Sequence, residues 1–186
     1  MKAMQVILLT LLVVLVTSAQ YDDSCPKPDV QANFDVSKYL GKWYGIKKLP
    51  TPFQKGECST AFYSLKSSGE IGVLNSGLLE DGTIRSAVAT ATVKDPSDPA
   101  KLAVSFSPES SAPYWVLSTD YEGHSLVYSC TNRQSGREYA WILSREPTLP
   151  EETVKKLEDV LSSIGIDVDK MAPTNQNENY CSVMHQ

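Results

Sequence analysis

Between Lys42 and Arg145, turn signals cut the chain into eight short β-prone runs, and no other feature narrows its folds as far. The runs are residues 42–49, 58–66, 70–79, 83–93, 101–107, 113–120, 124–131 and 138–145. Ser68-Gly69, Asp81-Gly82, Glu122-Gly123 and Ser135-Gly136 punctuate them, with Asp95-Pro96 and Asp98-Pro99 in a longer connection. Glycine supplies positive φ at such turns, and proline cannot donate to a ladder. Short turns make consecutive runs antiparallel neighbours. A meander of this size removes its exposed edges by closing on itself, and about eight strands then enclose room for one small ligand. The expected fold class is therefore all-β, an eight-stranded antiparallel up-and-down barrel with one C-terminal helix.

The helix follows from a change of period. Val154, Leu157, Leu161 and Ile164 fall at helical spacing and predict an apolar stripe packed on the outside of the sheet. Thr148 and Glu151 match a capping box, with Pro150 in the first turn and Gly165 at the C-terminal cap. Residues 173–186 read as a polar tail pinned by Cys181. At the other end Lys2, an apolar run over residues 6–16 and Thr17-Ser18-Ala19 predict a secretory leader. Residues 1–19 are then removed, and residues 20–186 form one secreted domain. The apolar run is shorter than the roughly 20 residues that cross a bilayer. An oxidising compartment pairs the four cysteines, Cys25, Cys58, Cys130 and Cys181, into two disulfides, with three pairings open. Their wide spacing, without CxxC, argues against zinc.

Seventeen basic residues against 22 acidic ones leave a net charge of -5. The densest basic pairs, Lys47-Lys48 and Lys155-Lys156, are isolated doublets that read as solvated faces. Nucleic acid and anionic membrane surfaces are therefore not expected partners. No GxSxG, HExxH, P-loop or dinucleotide-binding fingerprint occurs. His124 follows a turn glycine and His185 is the penultimate residue, so both read as surface histidines rather than bases or metal ligands. No catalytic residue, metal site or required cofactor is assigned. Binding in a concavity remains, which needs an apolar, aromatic wall with a few placed polar groups. Alternation puts Tyr139, Trp141 and Leu143 on one face of the last run and Ala140, Ile142 and Ser144 on the other. Tyr63, Asn75, Arg85, Phe106 and Tyr114 on other runs complete the candidate lining. Plain core packing is the competing account of such aromatics.

Gly41-Lys42-Trp43, then Thr119-Asp120-Tyr121, then Arg145 resemble, in order, the three signature segments of the lipocalins. Residues 33–44, 112–121, 126–131 and 140–171 extend the resemblance over nearly all the chain beyond the leader. It implies a structural role for the signature residues, with Arg145 packed on Trp43 at the closed end of the barrel. It implies disulfides Cys25–Cys130 and Cys58–Cys181. It also implies carriage of a small hydrophobic molecule, namely a fatty acid such as arachidonic acid, a steroid, or a bound biliverdin-type tetrapyrrole. The relatives' lining positions fall on Tyr63, Asn75, Tyr114, Tyr139 and Trp141, where tyrosine hydroxyls and Asn75 would meet a ligand oxygen. Arg85 would pair with a ligand carboxylate if it faces the cavity mouth, and alternation leaves its direction open.

Two other readings stay within the family. One is a pigment or sequestering protein for biliverdin, and the other is a prostaglandin isomerase, which needs a free thiol in the barrel, with Cys58 the nearest candidate. Departures from the relatives narrow the expectations further. Residues 108–111 read Pro-Glu-Ser-Ser in place of an apolar, aromatic, methionine-containing segment, so lipoprotein or membrane insertion is not expected there. Beyond the leader only Met171 and Met184 remain, which removes methionine-based peroxide reduction from that loop. No N-x-[ST] sequon is present, so no N-glycan is expected. Gly45 replaces a larger, often acidic residue and predicts a wider cavity floor or an altered polar contact.

Overall fold

The computed structural model describes residues 24–185, so the leader and the expected start at Gln20 lie outside the described residues. A four-residue helix, α1 (Val36–Tyr39), is capped by Asp35, whose carboxylate accepts from Ser37 N–H at 2.9 Å. Eight strands follow: β1 (Gly41–Lys48), β2 (Glu57–Leu65), β3 (Ile71–Leu78), β4 (Ile84–Val93), β5 (Lys101–Ser107), β6 (Ser110–Thr119), β7 (His124–Asn132) and β8 (Arg137–Ser144). Each pairs antiparallel with the next, and β1 pairs with both β2 and β8, which closes the barrel.

The limits agree with expectation within one residue except at β6, which begins three residues early. Residues 108–109 form a tight turn that pairs Ser107 with Ser110. Pro113 is tolerated inside β6 because β7 pairs with that strand only from Trp115 to Thr119. The proline therefore sits where one side of the strand has no ladder to break.

Alternation sorts the side chains into two cores. Trp43, Tyr63, Val73, Ala89, Val104 and Leu143 belong to the cluster inside the barrel. Leu117, Leu126, Tyr128 and Ile142 point outward and meet Leu157 and Leu161 of α2 (Glu151–Ser163). The predicted stripe thus covers one half of the outer wall. Among the described residues nothing covers the other half in this way, and the cross-strand neighbours Phe62, Leu74 and Val88 are exposed.

Helix α2 ends as expected and starts differently. Gly165 takes φ +81°, its N–H bonds Ser162 O at 3.0 Å, and Ile166 N–H reaches Leu161 O at 3.1 Å. This is a Schellman closure with Leu161 and Ile166 in one apolar cluster. The capping box does not form. Pro150 itself is the N-cap, without a side-chain cap bond, so Thr148 lies too far upstream to serve. Glu151 and Glu152 supply the first-turn negative charge instead.

The polar tail turns out to be barrel wall. Strands β1 and β2 pair only where Gly41–Tyr44 meets Thr60–Tyr63, and beyond that point they splay. Residues 172–177 fill the gap. The two-residue strand β9 (Ala172–Pro173) pairs with Lys48 and Lys47, and Thr174 N–H bonds Ile46 O at 2.8 Å. Asn175 O accepts from Cys58 N–H at 2.9 Å. Gln176 Nε2 bridges the seam, donating to Gly45 O and Ser59 O at 2.8 Å each. Gly45 belongs to this arrangement: a Cβ there would lie 2.3 Å from Ser59 Oγ. The glycine therefore leaves the room that the Ser59 side chain occupies at the seam. The disulfide Cys58–Cys181 pins the strap, and Cys25–Cys130 ties the N-terminal segment to β7.

Candidate functional site

The signature residues plug one end of the barrel. Gly41 takes φ +94°, where glycine is favoured, and a Cβ would stand 3.3 Å from Arg145 Nη1. The Arg145 guanidinium lies 3.8 Å from the centre of the Trp43 ring. It donates to three backbone carbonyls, Tyr121 at 2.9 Å, Lys42 at 2.8 Å and Lys38 at 3.0 Å. A lysine ammonium lacks the planar fork for this clamp. Thr119 Oγ1 donates to His124 O and accepts from Tyr121 N–H, while Asp120 Oδ1 accepts from the Gly123 and His124 N–H groups. These residues lock the β6–β7 turn.

His124 lies on the outer wall and is held there by its neighbours. Its side chain is 20% exposed, Nδ1 lies 3.1 Å from Asp120 Oδ2, and Nε2 lies 3.4 Å from Ser118 Oγ. A bulge in β6 and the following turn bring this Ser–His–Asp set together, which no linear motif reveals. It sits on the outer wall at the closed end, and Asp120's other oxygen is committed to the turn, so it serves structure. Among the described residues, no cluster of His, Cys, Asp or Glu is placed to hold a metal ion.

Tyr63 and Tyr114 form the floor of the cavity above the plug. Their hydroxyls lie 2.6 Å apart, Tyr114 OH reaches Tyr39 OH at 3.1 Å, and Tyr39 OH meets Ser125 Oγ at 2.9 Å. These hydroxyls satisfy one another instead of awaiting a ligand. Burial pushes Tyr39 up to about 12, and it pushes Tyr63 and Tyr114 well above the ordinary tyrosine value. A raised folded value means that stability is full below the ordinary value near 10 and is lost as pH climbs towards about 12. In an alkaline titration, tyrosinate absorbance from this set should therefore appear only together with loss of the β circular-dichroism signal. Reversible ionisation near pH 10 of Tyr39, Tyr63 or Tyr114, read by substituting each in turn, in a folded barrel would refute the network.

At the open end the inner wall is asymmetric. In a circle of eight strands β8 faces β4; β8 brings Tyr139 and Trp141 inward, whereas β4 presents Ala87, Ala89 and Ala91. Bulky aromatic side chains thus stand on one side of the inner wall and alanines on the other. Asn75 stands in register with Ala61 and Ala87, and its side chain has no hydrogen-bond partner among the described residues. Arg85 shares the strand face of Ala87 and Ala89 and is exposed near the rim, paired in register with Gly77. Phe106 lies in the β5 bulge at the same rim, 53% exposed.

Sequence reasoning missed the loop between β1 and β2. Phe53 packs edge-on against Tyr139 with ring centres 5.1 Å apart, and Gln54 Oε1 accepts from Trp141 Nε1 at 2.7 Å. No periodicity marks loop residues that reach across more than eighty positions. A wider depression of about 1420 Å³ lies outside the barrel, between α2, the outer face of β1 and the strap. It is rimmed by Glu146, Glu151 and Glu178 and gives an apolar molecule little enclosure. Cys58, the thiol that an isomerase would need, is bound to Cys181.

Comparison with known proteins agrees with this architecture. Residues 34–176 match the Lipocalin-like domain family. Apolipoprotein D of Bos taurus is 52% identical over 157 residues, covering 82% of each chain. Lazarillo protein of Schistocerca americana is 34% identical, covering 89% of this chain and 80% of its own. Among solved structures, insecticyanin from the tobacco hornworm Manduca sexta superposes with a TM-score of 0.71 at 26% identity, covering 87% of this chain and 90% of that one. Its sequence, its closed barrel and these relatives together show that the chain belongs to the lipocalin-like family.

Proposed function

We propose that the protein is a secreted, non-catalytic carrier that holds one small hydrophobic molecule in the open end of its barrel. The observation that carries this reading is the inner wall, where Tyr139 and Trp141 face the alanines of β4 and Asn75 offers an unpartnered amide. Burial supplies most of the affinity, at roughly 25 cal/mol per Å² of apolar surface, and Asn75 satisfies a ligand oxygen that would otherwise be desolvated unpaired. The ligand classes that fit are fatty acids such as arachidonic acid, steroids, and biliverdin-type tetrapyrroles. Membrane or lipoprotein insertion at the β5–β6 turn does not fit, because Pro108 and Glu109 are exposed and Ser110 and Ser111 follow.

The Trp141 to alanine variant is expected to weaken ligand binding by about tenfold or more while leaving the fold intact, since the ring is half-buried in the wall. Unchanged affinity in a fluorescence titration would remove Trp141 from the site. A bilin-binding reading is favoured by Arg85 near the rim, which suits a propionate at the mouth. Native mass spectrometry of protein from its own secretion, with an absorbance scan, separates the two readings. A bilin mass with a visible band gives a pigment carrier, and a colourless lipid mass gives the lipid carrier. An empty barrel that takes up neither in titration defeats both.

A further inference from the structure

A small chamber opens on the inner wall where β1 and β2 splay, lined by Lys48, Gln54, Ser59, Ala61, Trp141 and Thr174. Its volume of about 20 Å³ admits one oxygen-sized group. Its polar groups are unbalanced. Thr174 Oγ1 is shut off from solvent and has no hydrogen-bond partner among the described residues. Lys48 Nζ donates to the neutral carbonyl of Gln54 at 3.0 Å and forms no ion pair among the described residues. Trp141 has already given its only donor to Gln54.

The basic doublet is thus not a solvated face. A bulge after Gly45 sends Lys47 outward to an ion pair with Glu158 on α2, and Lys48 falls on the inner side opposite Trp141. Burial pulls the Lys48 ammonium below the ordinary lysine value, opposed by the charge of Glu57. A partly buried cation with one neutral acceptor, next to an orphaned hydroxyl, is a site short of an anion.

We propose that this seam is the docking point for the polar end of the ligand, and that this end is a carboxylate held by Lys48 and Thr174. One carboxylate oxygen enters the chamber and accepts from the Thr174 hydroxyl, the other accepts from Lys48, and the apolar chain runs past Trp141 towards the alanines of β4. Arg85 is the weaker partner because solvent and salt screen it at the rim. The proposal rests on the carrier reading and narrows it to amphiphilic acids.

The test is tryptophan-quenching titration of the delipidated full chain with arachidonic acid and with its methyl ester, which differ only at the head. Wild type is expected to prefer the acid by about tenfold, a charge-assisted hydrogen bond's worth. Lys48→Met should bring the two affinities to parity by losing the acid while keeping the ester, which also reports an intact cavity. Lys48→Arg should retain the preference, and Thr174→Val should reduce it a few-fold. No preference in wild type, or one that survives both Lys48→Met and Thr174→Val, overturns the seam site and leaves the carrier intact. A preference abolished by Arg85→Gln alone overturns it in favour of the rim. Should Lys48→Met not fold, Thr174→Val decides, and an unchanged preference there is also refutation. Failure of wild type to bind either compound defeats the carrier reading itself.

Discussion

Replacing Trp43 with alanine is expected to lower the unfolding free energy by about 3–5 kcal/mol, the range for deleting a buried tryptophan. The ring is fully buried, held between Tyr39 and Arg145. Tyr39 tilts against it with ring centres 5.0 Å apart, Nε1 donates to Tyr39 O at 2.9 Å, and Arg145 covers its face at 3.8 Å. The alanine variant leaves a cavity, an unpartnered carbonyl in α1 and a guanidinium that has lost its aromatic face. Because Arg145 also holds the carbonyls of Lys38, Lys42 and Tyr121, loosening it should loosen α1, the start of β1 and the β6–β7 turn together. Urea unfolding followed by circular dichroism measures the loss. If the variant unfolds at the wild-type midpoint, the plug is not what holds the closed end.

Opening the Cys58–Cys181 disulfide, by changing both residues to serine, is expected to destabilise the fold by about 4–5 kcal/mol in the chain-entropy model. The two cysteines lie 123 residues apart. The same change at Cys25–Cys130, 105 residues apart, should lower stability by a similar amount on that model. Ligand binding separates the two pairs. Cys58–Cys181 anchors the strap that completes the barrel wall between β1 and β2, so its loss should also weaken binding. Cys25–Cys130 holds a segment outside the barrel and should leave affinity near wild type. Thermal melts with hydrogen exchange at the amides of Cys58 and Thr174 test this, since both donate across the seam. Equal protection of those amides in both double variants would show that the strap stays in place without its staple.

What was legible in the sequence was whatever depends on local pattern. The eight strands, the helix stripe and its Gly165 cap follow from alternation, helical spacing and the conformational freedom of glycine, each acting over a few residues. The inward set of Tyr139, Trp141 and Leu143 was readable for the same reason, since β8 runs through that stretch without a bulge.

Direction was lost where a bulge intervened or a distant segment took part. Alternation could not orient Arg85, because a strand has two faces and only the closed barrel says which is inside. The bulge after Gly45 splits Lys47 from Lys48, and a bulged strand and turn gather Ser118, Asp120 and His124. The floor hydroxyls of Tyr63 and Tyr114 look free in the sequence because their partners come from other elements, α1 among them. The polar tail showed no β pattern, yet it is held in the wall by backbone and glutamine bonds to residues more than a hundred positions away. The sequence by itself therefore determined the strands, the helix and the signature plug, because their causes lie within a turn or a strand. Only the tertiary structure decided which polar groups face the cavity and which are already satisfied, because hydrogen-bond satisfaction and burial depend on neighbours that the linear order keeps apart.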